Sequence, residues 1–201
     1  MDSSAGNFVS SFKMTDMTTK ENKCAIKVLF SGDAVDKRVS ETAKLISREY
    51  KDKKPLIIGV LKGSFIFCAD LIRKLKFDCQ VDFITLNSYS GTSSGGKVKL
   101  ISNLREKVEN RDVIIVEDIV DTGITLDFLL KQLHLQKPKS VKTCVLLDKK
   151  PARIKEVPVE YVCFEVGKEF VVGYGLDYKG FYRNLSYIGI LKSVKAKKRG
   201  D

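Results

Sequence analysis

The chain has 201 residues, 43% of them hydrophobic and 30% charged. That balance excludes a disordered or fibrous chain, and the length fits one domain with a core that needs no disulfide staples. The net charge of +11 favours polyanionic partners, either nucleic acid or a phosphorylated small molecule, and no apolar run approaches the roughly 18 residues that span a bilayer.

Residues 1–23 are polar and lack the apolar stretch of a secretory signal, so a disordered N-terminal extension is expected. Asp33 is expected to cap a helix with an apolar face of Val35, Val39, Ala43, Ile46 and Tyr50. Pro55 leads into LIIGVL, a short apolar run that reads as a buried strand. The turn LKGS follows, then SFIFCADLIRKL, apolar nearly all round in its first half, as a helix packed under a sheet is. VDFITLNSY reads as a strand. Ser90 to Gly96, SGTSSGG, has no apolar anchor and is expected to be a mobile loop. VIIVEDIV, Val113 to Val120, is the most hydrophobic strand candidate, and beyond Gly123 the stripe Leu126, Leu129, Leu130 and Leu133 marks a helix. SVKTCVLL, EYVCFEV, FVVGYGLDY and SYIGIL are further strand candidates. The tail, 192–201, holds five cationic side chains against one acidic one. It reads as a flexible, solvated end in preference to a nucleic-acid arm.

Strands that look buried on both faces alternate with helices, which means an α/β fold with a central, mostly parallel sheet flanked by helices. Five cysteines (Cys24, Cys68, Cys79, Cys144, Cys163) show no CxxC spacing. They read as reduced thiols of a cytosolic protein, not as a disulfide frame or zinc site. A single histidine, His134, argues against a histidine triad or a multi-histidine metal site.

Ligands of open α/β sheets bind beyond the carboxyl ends of the strands. There, in IIVEDIVDTGITL, Glu117 and Asp118 close an apolar strand, where carboxylates are costly unless they meet a cation or donors. Asp121, Thr122, Gly123 and Thr125 then open a helix, whose first N–H groups and threonine hydroxyls suit a phosphate. Carboxylates accept from a ribose diol or bind Mg²⁺, so phosphate, diol and metal together suggest a phosphoribosyl group. The plainer alternative makes Asp121 a helix cap and the acidic pair surface charges. Neither GxxxxGK[ST] nor GxGxxG occurs, which argues against Walker-type and Rossmann nucleotide sites.

EDIVDTGIT resembles the phosphoribosyl-pyrophosphate motif of the purine phosphoribosyltransferases. LKGS at Leu61 to Ser64, Ser88-Tyr89, LLDKK at Leu146 to Lys150, and FVVGYGLDY at Phe170 to Tyr178 followed by Tyr182 and Arg183 match the hypoxanthine-guanine branch in order. The resemblance implies a type I phosphoribosyltransferase-like fold with a small hood from the terminal segments, over one domain of residues 24–191. It implies a cytoplasmic purine-salvage enzyme that moves the 5-phosphoribosyl group of 5-phosphoribosyl-1-pyrophosphate to N9 of hypoxanthine or guanine, giving IMP or GMP. A homo-oligomer, dimer or tetramer, is implied, with neither nucleic acid nor membrane as partner.

By the same resemblance, Glu117 and Asp118 hold the ribose hydroxyls and Mg²⁺, and Asp177 binds a second Mg²⁺. Asp121 to Thr125 cradle the 5′-phosphate, with Asp121 also the proton acceptor at purine N7. Many relatives carry lysine where this chain has Ile124, a modest loss if the backbone makes the cradle. Lys62 and Gly63, in a loop the family often builds with a non-proline cis peptide, meet the pyrophosphate, which Arg183 neutralises. Lys149 donates to the purine 6-oxygen, Phe170 stacks on the ring and the Val171 backbone reads its edge. Ser88, Tyr89 and Arg153 are second-rank contacts, the first two leading into a lid at Ser90 to Gly96.

Overall fold

The computed structural model describes residues 24–89, 97–100, 102 and 104–193. In chain order the elements are β1 (Cys24–Phe30), α1 (Gly32–Glu49), β2 (Leu56–Leu61), α2 (Phe65–Lys74), β3 (Gln80–Tyr89), β4 (Lys97–Leu100), β5 (Asp112–Val120), α3 (Ile124–His134), β6 (Ser140–Asp148), β7 (Tyr161–Glu165), β8 (Val171–Val172) and β9 (Ile188–Ser193). A 3₁₀ turn occupies Lys150–Ala152.

The six-stranded main sheet runs β4-β3-β2-β5-β6-β7. Its five inner and far strands are parallel, and β4 adds an antiparallel edge. Successive side chains of a strand face opposite ways, so each strand feeds two cores. Ile57, Ile114, Cys144 and Leu146 pack under α1 and α2, while Leu56, Ile58, Ile115 and Val145 pack under the leucine stripe of α3. Burial on both faces is why LIIGVL in β2, VIIV in β5 and CVLL in β6 read as apolar runs.

The second sheet is antiparallel, three-stranded and ordered β1-β9-β8, drawing on both ends of the described chain. It is the hood. Here the structure departs from simple reading. FVVGYGLDY yields only the two-residue β8, because Gly173, Tyr174 and Gly175 all turn to positive φ. SYIGIL supplies β9, which runs on through Lys192 and Ser193, past the expected domain end at 191. No apolar run announces β4, and the run CAIKVLF that forms β1 is interrupted by Lys27.

The cap of α1 also differs. Ser31 Oγ accepts from the Ala34 N–H at 3.2 Å, so the cap falls before Asp33, which sits in the first turn beside the positive end of the helix dipole. Cys68, Cys144 and Cys163 are buried free thiols, and Cys79 is partly buried. Burial pushes the Cys68 thiol up to about 12 and that of Cys163 up to about 11. No helix among the described residues is long and apolar enough to cross a membrane. The extension 1–23, the segment Ser90 to Gly96 and residues 194–201 lie outside the described residues.

Candidate active site

Strand β5 delivers its last residues to a cavity of about 140 Å³ lined by Glu117, Asp118, Asp121, Thr122, Gly123 and Thr125, among others. The α3 N-cap is Gly123, not Asp121, with φ at 80°. A Cβ there would lie 2.3 Å from the Lys155 carbonyl oxygen, so only glycine fits. The N–H groups of Ile154 and Lys155 both donate to the Thr122 carbonyl at 2.9 Å and hold the loop from outside. Asp121 is thereby freed from capping, and its side chain is 48% exposed.

Burial pushes the Glu117 carboxyl well above the usual range, and the neighbouring Asp118 pushes it further. Its Oε2 is buried without a partner among the described residues. Burial also raises Asp118, although its Oδ1 accepts from the Ile119 N–H at 2.9 Å and the Arg183 charge opposes the rise. An orphaned carboxylate oxygen beside a second carboxylate, both at a cavity, suits a divalent cation or ribose hydroxyls, either of which relieves the charge that burial penalises. The donor set therefore fits Mg²⁺.

The Lys62 turn lies directly on this pair. The Leu61–Lys62 peptide is cis, as the family resemblance implied. A Cβ on Gly63 would fall 1.5 Å from Asp118 Oδ2, so any side chain there displaces either the turn or the carboxylate. Lys62 itself is exposed. Ser64 Oγ donates to the Val60 carbonyl at 2.7 Å and locks the turn to β2. Sequence reasoning assigned Ser64 no part, and nothing local signals one.

Lys149 follows β6, and its backbone N–H donates to the Val120 carbonyl at 3.0 Å. Its side chain is only 11% exposed and its Nζ stands 3.5 Å from Asp121 Oδ2. The expected base donor and the expected proton acceptor are thus paired with each other. Arg153 lies against the Gly123 loop in an ion pair with Asp148, the two side chains 8% and 4% exposed, and both line a second cavity with Lys150 and Glu156. Asp148 was not among the candidates, although an aspartate closing an apolar strand could have suggested it.

The hood supplies the rest. Phe170 is 51% exposed and packs edge-on to Tyr178 at 5.7 Å, while Val171 is buried in β8 opposite Ile190. Asp177 is 2.6 Å from Arg183 and accepts the Gly180 N–H at 2.7 Å. Arg183 also donates to the Gly175 carbonyl at 2.6 Å. Ser88 and Tyr89 end β3 opposite Val98 and Lys97; their side chains lie outside the description.

Residues 27–179 match the phosphoribosyl transferase domain. The hypoxanthine-guanine phosphoribosyltransferase of Bacillus subtilis is 47% identical over 167 residues, which is 83% of this chain and 93% of that one. A Streptococcus pyogenes enzyme of the same name is 41% identical over the same shares. The chain also matches the bifunctional protein TilS/HprT of Listeria monocytogenes at 47% identity over 83% of its own length, but spans only 26% of that longer protein. Among solved structures, a Bacillus anthracis hypoxanthine-guanine phosphoribosyltransferase superposes with a TM-score of 0.78 at 41% identity, covering 86% of this chain and 99% of that one. A Staphylococcus aureus hypoxanthine phosphoribosyltransferase gives 0.80 at 40% identity, covering 83% and 91%. The chain belongs to the phosphoribosyl transferase family, in its hypoxanthine-guanine branch.

Proposed function

We propose that this chain is a purine-salvage transferase that moves the 5-phosphoribosyl group from 5-phosphoribosyl-1-pyrophosphate to N9 of hypoxanthine or guanine, giving IMP or GMP and pyrophosphate. The observation that carries this reading is the convergence of three groups at the end of β5: the phosphate loop, the Glu117–Asp118 pair, and the Asp121–Lys149 pair at 3.5 Å.

In this reading the loop from Asp121 to Thr125 holds the 5′-phosphate through backbone N–H groups and threonine hydroxyls. The departure at Ile124 then removes only a charge. Glu117 and Asp118 accept from the ribose hydroxyls and would hold Mg²⁺, with Asp177 free to hold a second ion once Arg183 turns from it; these cations supply positive charge to the pyrophosphate. Lys62, the Gly63 turn and Arg183 face that leaving group. Phe170 covers one face of the purine, and the Val171 backbone meets its edge.

An arriving 6-oxopurine divides the Asp121–Lys149 pair. The Lys149 ammonium donates to the 6-oxygen, and Asp121 accepts the N7 proton as the C1′–N9 bond forms and the C1′–pyrophosphate bond breaks. Adenine offers an amino group at that position, and two opposed donors leave both unpaired. Positive charge gathering at C1′ is met by the fixed carboxylates at the end of β5. We place the enzyme in the cytoplasm as a homo-oligomer, dimer or tetramer, acting on small molecules and not on nucleic acid or membrane.

The test is direct: purified chain with 5-phosphoribosyl-1-pyrophosphate, Mg²⁺ and hypoxanthine is assayed for IMP. Failure to form IMP or GMP under conditions where adenine is converted would overturn the assignment of the base.

A further inference from the structure

Tyr174 takes no part in the reaction described above, yet it is buried and conformationally costly. Its φ is 49°, between Gly173 at 99° and Gly175 at 100°. A bulky side chain seldom adopts that conformation, so surrounding contacts must hold it. The Tyr174 N–H donates to the Leu185 carbonyl at 2.8 Å. Its hydroxyl donates to Asp70 Oδ2 at 2.5 Å, across 104 residues of sequence. Burial, and then the bond to Asp70, push the phenol far above its usual range, so it stays a donor at every working pH.

Asp70 lies in α2, the helix that begins directly after the Lys62–Gly63–Ser64 turn. That turn is fixed to the helix, since the Cys68 N–H donates to the Ser64 carbonyl at 2.7 Å. The residue after Tyr174 touches the same turn: a Cβ on Gly175 would lie 2.2 Å from the Gly63 carbonyl oxygen. On the other side Gly175 grips Arg183, its N–H donating to the Arg183 carbonyl at 2.9 Å. Tyr174 therefore stands between the residues assigned to the purine, Phe170 and Val171, and those assigned to pyrophosphate and metal, Asp177 and Arg183. Its hydroxyl fastens that segment to the helix carrying the Lys62 turn.

We propose that the Tyr174–Asp70 hydrogen bond couples the two substrate subsites, so that filling the Lys62–Gly63 turn with the pyrophosphate group tightens purine binding at Phe170–Val171. Tyr174 and Asp70 are then positioning residues. The inference rests on the function proposed above. Coupling of this kind is reciprocal, each ligand raising the other's affinity by one factor. A purely structural tie is the rival, and the surroundings separate the two. Asp70 also pairs with Arg73 on its own helix. Removing the tyrosine hydroxyl thus strands no charge, and the geometric link is lost at little cost to folding.

The probe is a hypoxanthine analogue with carbon in place of N9, which cannot be ribosylated. Its affinity for the full chain is measured calorimetrically at fixed Mg²⁺, with and without saturating 5-phosphoribosyl-1-pyrophosphate. The expected tightening in the parent chain lies in the usual coupling range of about 5–150-fold. Tyr174→Phe and Asp70→Ala should each cut that ratio by about 5-fold or bring it to unity, while affinity for 5-phosphoribosyl-1-pyrophosphate alone stays within about 2-fold. Asp70→Asn keeps an acceptor oxygen and should keep most of the ratio. The double variant should fall no further than either single one. If Tyr174→Phe does not fold, Asp70→Ala decides. An unchanged ratio in a folded variant overturns the proposal, as does a loss in Asp70→Asn equal to that in Asp70→Ala. A parent chain that binds both ligands without tightening sinks the coupling alone, whereas one that binds neither sinks the function beneath it.

Discussion

Around β5 the acidic groups of the site are fixed by burial, whereas between Phe170 and Arg183 the single carboxylate, Asp177, is fixed by a cation. Glu117 keeps an orphaned oxygen in a crowded strand end, and Asp118 is pressed by the Gly63 backbone. Neither carboxylate is paired with a cation in the described structure, so a ligand that meets them gains without breaking a strong contact. In the hood, Asp177 holds Arg183 and Arg183 holds the Gly175 carbonyl. A ligand there must exchange partners before it gains anything. The main sheet therefore supplies a site set before binding, and the hood supplies one that rearranges. The Asp121–Lys149 pair lies on the main-sheet side but resembles the hood, because in the proposed reading the purine divides it.

The sharpest way to break that comparison is Asp121→Asn. General-base catalysis contributes about 10²–10⁴-fold, and kcat for IMP formation should fall by that factor. The melting temperature should stay near the parent value, because Gly123 is the helix cap and Asp121 is half exposed. A variant with near-normal kcat and a lowered melting temperature would make the residue structural.

Gly63→Ala tests how rigid the preset half is. Its methyl group would occupy the space of Asp118 Oδ2, at 1.5 Å. A displacement of about 1 Å near the chemistry typically costs about 10²-fold, and kcat/KM should drop by roughly that amount. A variant with normal kinetics would mean that the turn and the carboxylate move apart freely, and the two halves would no longer differ.

Lys149→Ala should act on one substrate only. A hydrogen bond to a charged group is worth about 1.5–3 kcal/mol, so kcat/KM for hypoxanthine and guanine should fall about 10–100-fold, while the affinity for 5-phosphoribosyl-1-pyrophosphate is kept. Equal losses for both substrates would remove Lys149 from the base.

The same division decides what sequence could reveal. Glu117, Asp118 and the loop to Thr125 were legible because a doubly buried strand reads as an apolar run, and polar residues at its end need a reason. Periodicity located α1 but not its cap, since Ser31 and Asp33 are both capping types within one turn of the first apolar residue. The hood was legible only through resemblance. Its β8 is two residues long, its turns depend on positive φ, and β1 keeps most of its described side chains exposed. Pairings that bridge distant segments, such as Arg153 with Asp148 against the loop or Tyr174 with Asp70, leave no periodic trace. The Gly63 requirement is likewise a contact with a strand 55 residues away in sequence, and a lone glycine in a turn does not announce it.

The preset character of the main sheet should extend to its edge, where the chain leaves β3 for β4 and returns toward β5. Asp82 governs that return. Its Oδ2 accepts from the Arg105 and Glu106 N–H groups at 2.6 and 3.0 Å, and its Oδ1 from the Phe83 N–H at 2.8 Å. Burial alone would raise its carboxyl, but the Glu106, Phe83 and Arg105 donors outweigh it and hold the group below its ordinary 3.8. Asp82→Ala should speed hydrogen exchange at the Arg105 and Glu106 amides by about 10-fold, the worth of a bond to a charged acceptor. The pH dependence follows from linkage. A depressed folded value means that the stabilisation is complete above 3.8 and is lost as pH falls through the folded value. The melting temperature of the parent should therefore exceed that of Asp82→Ala by a constant margin at neutral pH, and the margin should close as acid is added below 3.8. A margin that closed on the alkaline side would mean a raised carboxyl. One that never closed would mean that the loss comes from packing, and the edge would be held by the Ser102 hydroxyl, which accepts from the Thr85 N–H at 2.9 Å, and by apolar contacts instead.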